Sequence, residues 1–143
     1  MVLVAKDIVE KEFLSLSRDT TALEGARQMK AKRHGYAIIA SSTGSPEGIV
    51  TEWDYLSKIV AEGRDPSHVT LGDIMTSDLV SVDANVGLDQ VAELMAHKGI
   101  RRVLVLKDHK VIGVITAAIM LSRLKEYVDK VSSTIARLQS PMM

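Results

Sequence analysis

Cysteine is absent from the 143 residues. That excludes a disulfide framework, thiol catalysis, an iron–sulfur cluster and a Cys-ligated zinc. Aromatic residues are scarce at 3%, one Phe, one Trp and three Tyr, which argues against a base-stacking platform. No excess of either charge is present: 18 Lys and Arg offset 18 Asp and Glu. Nothing suits the chain as a whole to coating a phosphate backbone, and nucleic acid is not expected as a partner. Long apolar runs are lacking as well. Val103–Leu106 and Val111–Leu121 fall well short of the roughly 20 residues of a membrane helix, so no membrane span is expected. The apolar start, Met1–Val4, meets charge at Lys6 and Asp7 and is too short for a signal-peptide core, which makes the cytoplasm the expected location. The four histidines, His34, His68, His97 and His109, show no ligand spacing such as H-x-x-x-H, and no metal site is expected. There is no G-x-S-x-G, no Walker A loop and no G-x-G-x-x-G, so no catalytic residue is assigned. Ser41–Ser45 has the composition of a phosphate loop but lacks its lysine and the helix signal behind it. It reads as a hairpin turn.

What is present suits a folded domain. Apolar residues make up 46% and charged residues 25%, enough for one ordinary core or two small modules sharing one. An internal repeat decides between these. Asp7-Ile8 matches Asp73-Ile74 at an offset of 66, which also pairs Ala26 with Ala92, Met29 with Met95 and Ala37–Ile39 with Val103–Val105. One residue is then lost, and at an offset of 65 Gly48-Ile49-Val50-Thr51 lies over Gly113-Val114-Ile115-Thr116. The halves are residues 1–63 and 68–128, joined by a linker at 64–67 that contains Pro66 and follows Gly63.

Each half reads the same way. A short extended piece (Phe13–Leu16; Leu79–Val82) precedes a helix with apolar residues at helical spacing, Ala22, Ala26 and Met29 in one copy and Leu88, Val91, Ala92 and Met95 in the other. A run of β-branched and aliphatic residues follows (Tyr36–Ala40; Val103–Leu106), then a turn, then a second strand (Gly48–Val50; Val111–Ile115) ending at a Thr that opens a helix. The pattern is β-α-β-β-α twice, an α+β (α/β) fold. A half of about sixty residues is marginal alone, so the two are expected to pack sheet to sheet. The last helix runs on past the repeat from about Ala118 toward Leu138, and residues 129–143 form a C-terminal helical extension. Leu121, Leu124, Tyr127, Val128, Val131, Ile135 and Leu138 give it an apolar stripe with a period near 3.5, which either packs back on the domain or forms a dimer seam.

Both copies in order, with Asp73-Ile74-Met75-Thr76, Ile100–Val105 and Gly48–Asp54 as the most specific pieces, resemble a pair of cystathionine β-synthase (CBS) domains, a Bateman module. The resemblance covers about Val4 to Tyr127 and is nearest to stand-alone prokaryotic CBS-pair proteins. It implies two repeats related by a pseudo-two-fold axis, a homodimer, and a regulatory sensor without catalysis. The implied ligand is adenosyl: AMP, ADP, ATP or S-adenosylmethionine. No cofactor is required.

Thr51-x-x-Asp54 is the centre of the candidate site. With the strand ending at Val50, Thr51 falls at the N-cap and Asp54 at N3, a capping box with Asp in place of Glu. The same geometry suits a ligand: a helix N-terminus favours an anion, and a hydroxyl and carboxylate one turn apart can grip a diol. In the family the matching Asp accepts hydrogen bonds from both ribose hydroxyls. The second copy keeps Thr116 but has Ile119 where the carboxylate should stand, so one competent site is expected. The resemblance further implies that Thr51 and Asp54 face Thr70, Met75, Ile100 and Arg101, with Ile49 lining the base and Met75 and Ile100 sandwiching it. Arg101 and Arg102 are forks for phosphate. Gly35 makes room for ligand and His34 is placed to touch phosphate, although a lone His is more often structural. The sensor reading implies a regulated partner protein that the sequence does not identify. The rival readings are a dimerisation and partner-docking scaffold in which Thr51 and Asp54 only cap a helix, and nucleic-acid binding through Arg101, Arg102 and the Lys and Arg of the C-terminal helix, against which the zero net charge and scarce aromatics argue.

Overall fold

The computed structural model describes residues 3–139. It contains two three-stranded sheets with the same order and sense. In the first, β1 (Ser15–Leu16) lies parallel to β2 (Tyr36–Ala40), which pairs antiparallel with β3 (Pro46–Thr51). In the second, β4 (Ser81–Asp83), β5 (Arg102–Lys107) and β6 (Lys110–Thr116) repeat that arrangement. Each hairpin carries a register shift at the equivalent place, between Ile39 and Ala40 and between Val105 and Leu106. Helix α2 (Ala22–Lys32) precedes the first hairpin, and α5 (Leu88–Lys98) precedes the second. The first repeat closes with α3 (Glu52–Tyr55) running into a π-helical turn at Leu56–Val60, and the second with α6 (Ala117–Leu138). Residues 140–143, part of the extension read from sequence, lie outside the described residues.

Alternation along the strands builds two kinds of core. Ile39 and Val50 face the helices of the first sheet, as Val103, Val105 and Ile115 face those of the second. Their neighbours Tyr36, Ile38, Leu104 and Val114 point the other way and meet in a cluster between the sheets, with Phe13, Ile49, Leu79 and Val111 around it. The expected sheet-to-sheet packing is this cluster.

Two further helices, α1 (Ala5–Ile8) and α4 (Leu71–Ile74), revise the β-α-β-β-α reading, because each repeat opens with one. Four residues are too few to show helical periodicity, and the one local signal is the Thr70-x-x-Asp73 capping box before α4. They pack crosswise. Ala5 and Ile8 are buried with Val91, Met95, Val105 and Ile115 of the second repeat. The α1 backbone is tied there by Ala5 N–H to Val86 O at 2.8 Å and Lys6 N–H to Ala84 O at 3.0 Å. Leu71 and Ile74 are buried with Ala22, Ile39, Val50 and Ile59 of the first repeat, where Leu71 N–H donates to Thr20 O at 2.8 Å.

The chain leaving each short helix then lies against the last strand of the other repeat. Ile49 and Thr76 exchange two backbone hydrogen bonds of 3.0 and 2.9 Å, and Glu10 and Val114 exchange two of 2.9 and 3.1 Å. Close approach is bought with glycine at both crossings. A Cβ on Gly113 would overlap Val9 Cγ2 and stand 2.6 Å from the Glu10 carbonyl oxygen, while one on Gly48 would meet the Met75 sulfur at 2.6 Å and the Thr76 carbonyl oxygen only at 3.0 Å. A thioether end can swing aside, and a backbone carbonyl held in a ladder cannot. Gly113→Ala is therefore expected to cost about 3 kcal/mol and Gly48→Ala about 1 kcal/mol, read from urea unfolding midpoints. Equal costs would contradict this account of the crossings.

Candidate functional site

The crossings leave two clefts, one on each side of the pseudo-two-fold axis. The first has a volume of about 400 Å³ and opens where β3 turns into α3. Its walls are Ile49, Thr51, Trp53 and Asp54 on one side, Ile100, Arg101, Arg102 and Leu104 on the other, and Thr76, Asp78, Leu79 and Val80 along the segment leaving α4. The second, about 490 Å³, is its repeat counterpart where β6 turns into α6. It is lined by Glu10, Lys32, Arg33, His34, Gly35, Tyr36, Thr116, Ala117 and Ala118, and again by Arg101 and Arg102.

Six of the ten residues expected at the site thus share the first cleft: Ile49, Thr51, Asp54, Ile100, Arg101 and Arg102. His34 and Gly35 stand in the second. A Cβ on Gly35 would meet Glu52 Oε1 at 2.7 Å, so the space that glycine frees holds a glutamate. Thr70 and Met75 line neither cleft. Thr70 caps α4, its hydroxyl accepting from Asp73 N–H at 3.3 Å and its own N–H donating to Asp73 Oδ2 at 3.0 Å. The Thr70 N–H bond to the carboxylate, with a smaller contribution from the Thr70 side chain, holds the Asp73 carboxyl below the ordinary aspartate value. Met75 packs beside Gly48 against the first-repeat core.

Asp54 is the buried charged residue of the core, 5% exposed. Its Oδ2 accepts the Thr51 N–H at 2.9 Å and the Thr51 hydroxyl at 3.3 Å. Its Oδ1 is 3.0 Å from Lys58 Nζ, and that ammonium also donates to the Ile74 carbonyl at 2.8 Å. A carboxylate has about four lone-pair sites, so one on Oδ1 is left. Lys58, which sequence reasoning missed, therefore ties the cap of α3 to the end of α4. It sits four residues beyond Asp54, a spacing typical of helical ion pairs and the one signal that could have found it. Thr76, Asp78, Leu79 and Val80 were also missed. Their positions follow from the Ile49–Thr76 bridge, which no local pattern announces.

In the second repeat the Thr116 hydroxyl accepts from Ile119 N–H at 3.1 Å. The cap is kept and the carboxylate is gone. Charge separates the clefts further. The first balances Arg101 and Arg102 with Asp54 and Asp78. The second sets Lys32, Arg33, Arg101 and Arg102 against Glu10. Tyr36 and Arg102, equivalent positions of the two repeats, stack on the axis with the guanidinium carbon 4.8 Å from the ring centroid, and His34 meets the same ring edge-on at 6.1 Å. The Tyr36 hydroxyl is buried without a hydrogen-bond partner. Burial, with a smaller push from Glu10 and an opposing pull from Arg102, raises its pKa to about 12. Among the described residues no three His, Asp or Glu side chains converge as metal ligands.

Comparison with known proteins agrees with this architecture. The CBS domain family matches residues 5–61 and 71–126, and the chain belongs to that family. An uncharacterized protein of Methanopyrus kandleri, MK0525, is 32% identical over 111 residues, 77% of this chain and 57% of its own length. Hypoxic response protein 1 of Mycobacterium tuberculosis is 27% identical over 123 residues, 86% of each chain. Among solved structures, the CBS domain pair of protein MJ0100 in complex with 5′-methylthioadenosine and S-adenosyl-L-methionine superposes with a TM-score of 0.75 at 26% identity, covering 88% of this chain and 98% of that one.

The orphaned Tyr36 hydroxyl yields a prediction with a pH signature. A phenol with its folded pKa above 10 contributes stability that is intact below pH 10 and lost as pH rises through about 12. Tyr36→Phe removes an unsatisfied buried hydroxyl and is expected to stabilise the protein by about 1 kcal/mol at pH 8, with a larger advantage over wild type at pH 11.5. Urea unfolding of both proteins at the two pH values measures this. A destabilised variant at pH 8 would show that the hydroxyl has a partner.

Proposed function

We propose that this protein is a regulatory CBS-domain sensor that binds one adenosyl ligand, AMP, ADP, ATP or S-adenosylmethionine, in the cleft of Asp54. The observation that carries the reading is the pairing, across one cleft, of the buried Asp54 with Arg101 and Arg102. A ribose diol donates to Oδ1 of Asp54 and, once the Thr51 hydroxyl turns toward the ligand, to Oδ2. The base rests against Ile49 and Ile100, and phosphates reach Arg101 and Arg102, with His34 and the second cleft beyond them. Met75, packed beside Gly48, supports the wall from behind. The adenosyl complex of the MJ0100 pair supports the ligand class. Ile119 leaves the second cleft without a carboxylate at the place Asp54 holds in the first, so one site per chain is competent.

The repeats, residues 1–63 and 68–128 with 64–67 between them, act as one unit. A ligand gripping both shifts their packing, which is how a module without chemistry of its own signals to a regulated partner protein. The protein works as a homodimer in the cytoplasm. Exposed Leu56 and Leu121, repeat equivalents, together with Trp53 and Val60, give it an apolar surface on the closing helices. No described helix is long and apolar enough to cross a membrane. The scaffold reading is favoured by one observation: Asp54 is already engaged by Thr51 and Lys58, as a cap alone would be.

Isothermal titration of AMP, ATP and S-adenosylmethionine into wild type, Asp54→Ala and Asp54→Asn separates the two. Two hydrogen bonds to a carboxylate are worth about 3 kcal/mol or more, so saturable binding near one per chain should weaken at least a hundredfold in both variants. Binding of none of the three to a well-folded wild type would leave the scaffold.

A further inference from the structure

Helix α6 is 22 residues long, about 33 Å, yet every residue from Leu121 to Gln139 is exposed. Only its first turn and Arg123, which donates to the Asp7 carbonyl at 3.2 Å, fasten it to the domain. A helix held at one end, with five turns in water on all sides, is marginal unless something covers its apolar face. That face is ordered. Leu121, Leu124, Val128, Val131, Ile135 and Leu138 follow one another at intervals of three and four residues without a break. In heptad terms, positions a are Leu121, Val128 and Ile135, and positions d are Leu124, Val131 and Leu138. No polar residue interrupts either row. β-branched residues at a and leucine at d favour two parallel strands, and four of the six positions conform, Leu121 and Val131 being the exceptions. The charges of the stretch, Arg123, Glu126, Asp129, Lys130 and Arg137, fall at b, c and f, on the outer face. Lys125, at e, would face Met120 of a parallel partner, so no like charges oppose each other.

We propose that α6 pairs in register with α6 of a second copy as a parallel two-stranded coiled coil starting at Leu121. This deepens the homodimer reading given above and rests on it. A second copy is the occupant because the row is complementary to itself: in parallel register each β-branched a layer and each leucine d layer meets its own kind. Parallel pairing also sets the second clefts of the two copies, where β6 turns into α6, together at the root of a shared stalk.

Because the chain has no cysteine, single-cysteine variants read the geometry directly. Leu138→Cys, at the far end of the seam, should form an interchain disulfide on mild oxidation, since parallel register places the two thiols together. Antiparallel pairing of the same seam would hold them about 25 Å apart. Val128→Cys, near the middle, serves as the control for pairing in either sense. Sedimentation of wild type and Val131→Asp, a residue that touches nothing in the domain, completes the test. The expected results are a wild-type dimer at micromolar concentration, a weakening of at least a hundredfold in Val131→Asp, and cross-linking of Leu138→Cys. A monomeric wild type overturns both this inference and the homodimer reading. A dimer that survives Val131→Asp overturns the seam alone. Cross-linking of Val128→Cys without Leu138→Cys overturns the parallel register.

Discussion

Neither sheet of this protein closes its own core. The hydrophobic layer beneath the second sheet needs Ala5 and Ile8 from the start of the chain, and the layer beneath the first needs Leu71 and Ile74 from the start of the second repeat. A module of about sixty residues buries so little apolar surface that it is marginal alone. Exchange of the short helices remedies this for both repeats at once. It also makes them inseparable, because each exchanged helix brings backbone hydrogen bonds that the other repeat cannot supply internally.

The clefts are a consequence of that exchange. A chain that leaves a helix on one repeat and returns to a strand of its own must cross the boundary between them, and it does so at Ile49–Thr76 and Glu10–Val114. Each crossing runs beside the point where a strand becomes a helix, so a capping threonine, a helix N-terminus and the arginines of the axis converge there. The two clefts then differ by single residues. Asp54 and Ile119 occupy equivalent places, as do Gly35 and Arg101, and Tyr36 and Arg102. A symmetric scaffold thereby carries two electrostatically distinct hollows.

The legible parts were those with local signatures. Tyr36–Ala40 is a strand over the residues its aliphatic run marks, and Thr51 and Thr116 cap the helices that their position after a strand implies. The period of the repeat carried the sheet topology, because it duplicated every element and forced a shared core. The crosswise packing was not legible, since a repeat says that two segments are alike and not which sheet each one covers. For the same reason Thr76–Val80 were missed as cleft walls, whereas Thr70 and Met75, assigned through resemblance, stand just outside the lining. Lys58 escaped notice because an i,i+4 pair on a short helix looks like ordinary surface charge, and only its contact with the Ile74 carbonyl shows that it links two repeats.

The central claim is that a ligand grips both repeats through the Asp54 cleft and not through its counterpart. Amide hydrogen exchange, followed with and without saturating AMP, ATP or S-adenosylmethionine in turn, tests it at the residues concerned. The account predicts that the ligand that binds slows exchange together at Thr51–Asp54, at Thr76–Val80 and at Ile100–Arg102, and leaves Thr116–Ile119 unchanged. Slowing confined to Thr116–Ile119, or equal at both clefts, would contradict it.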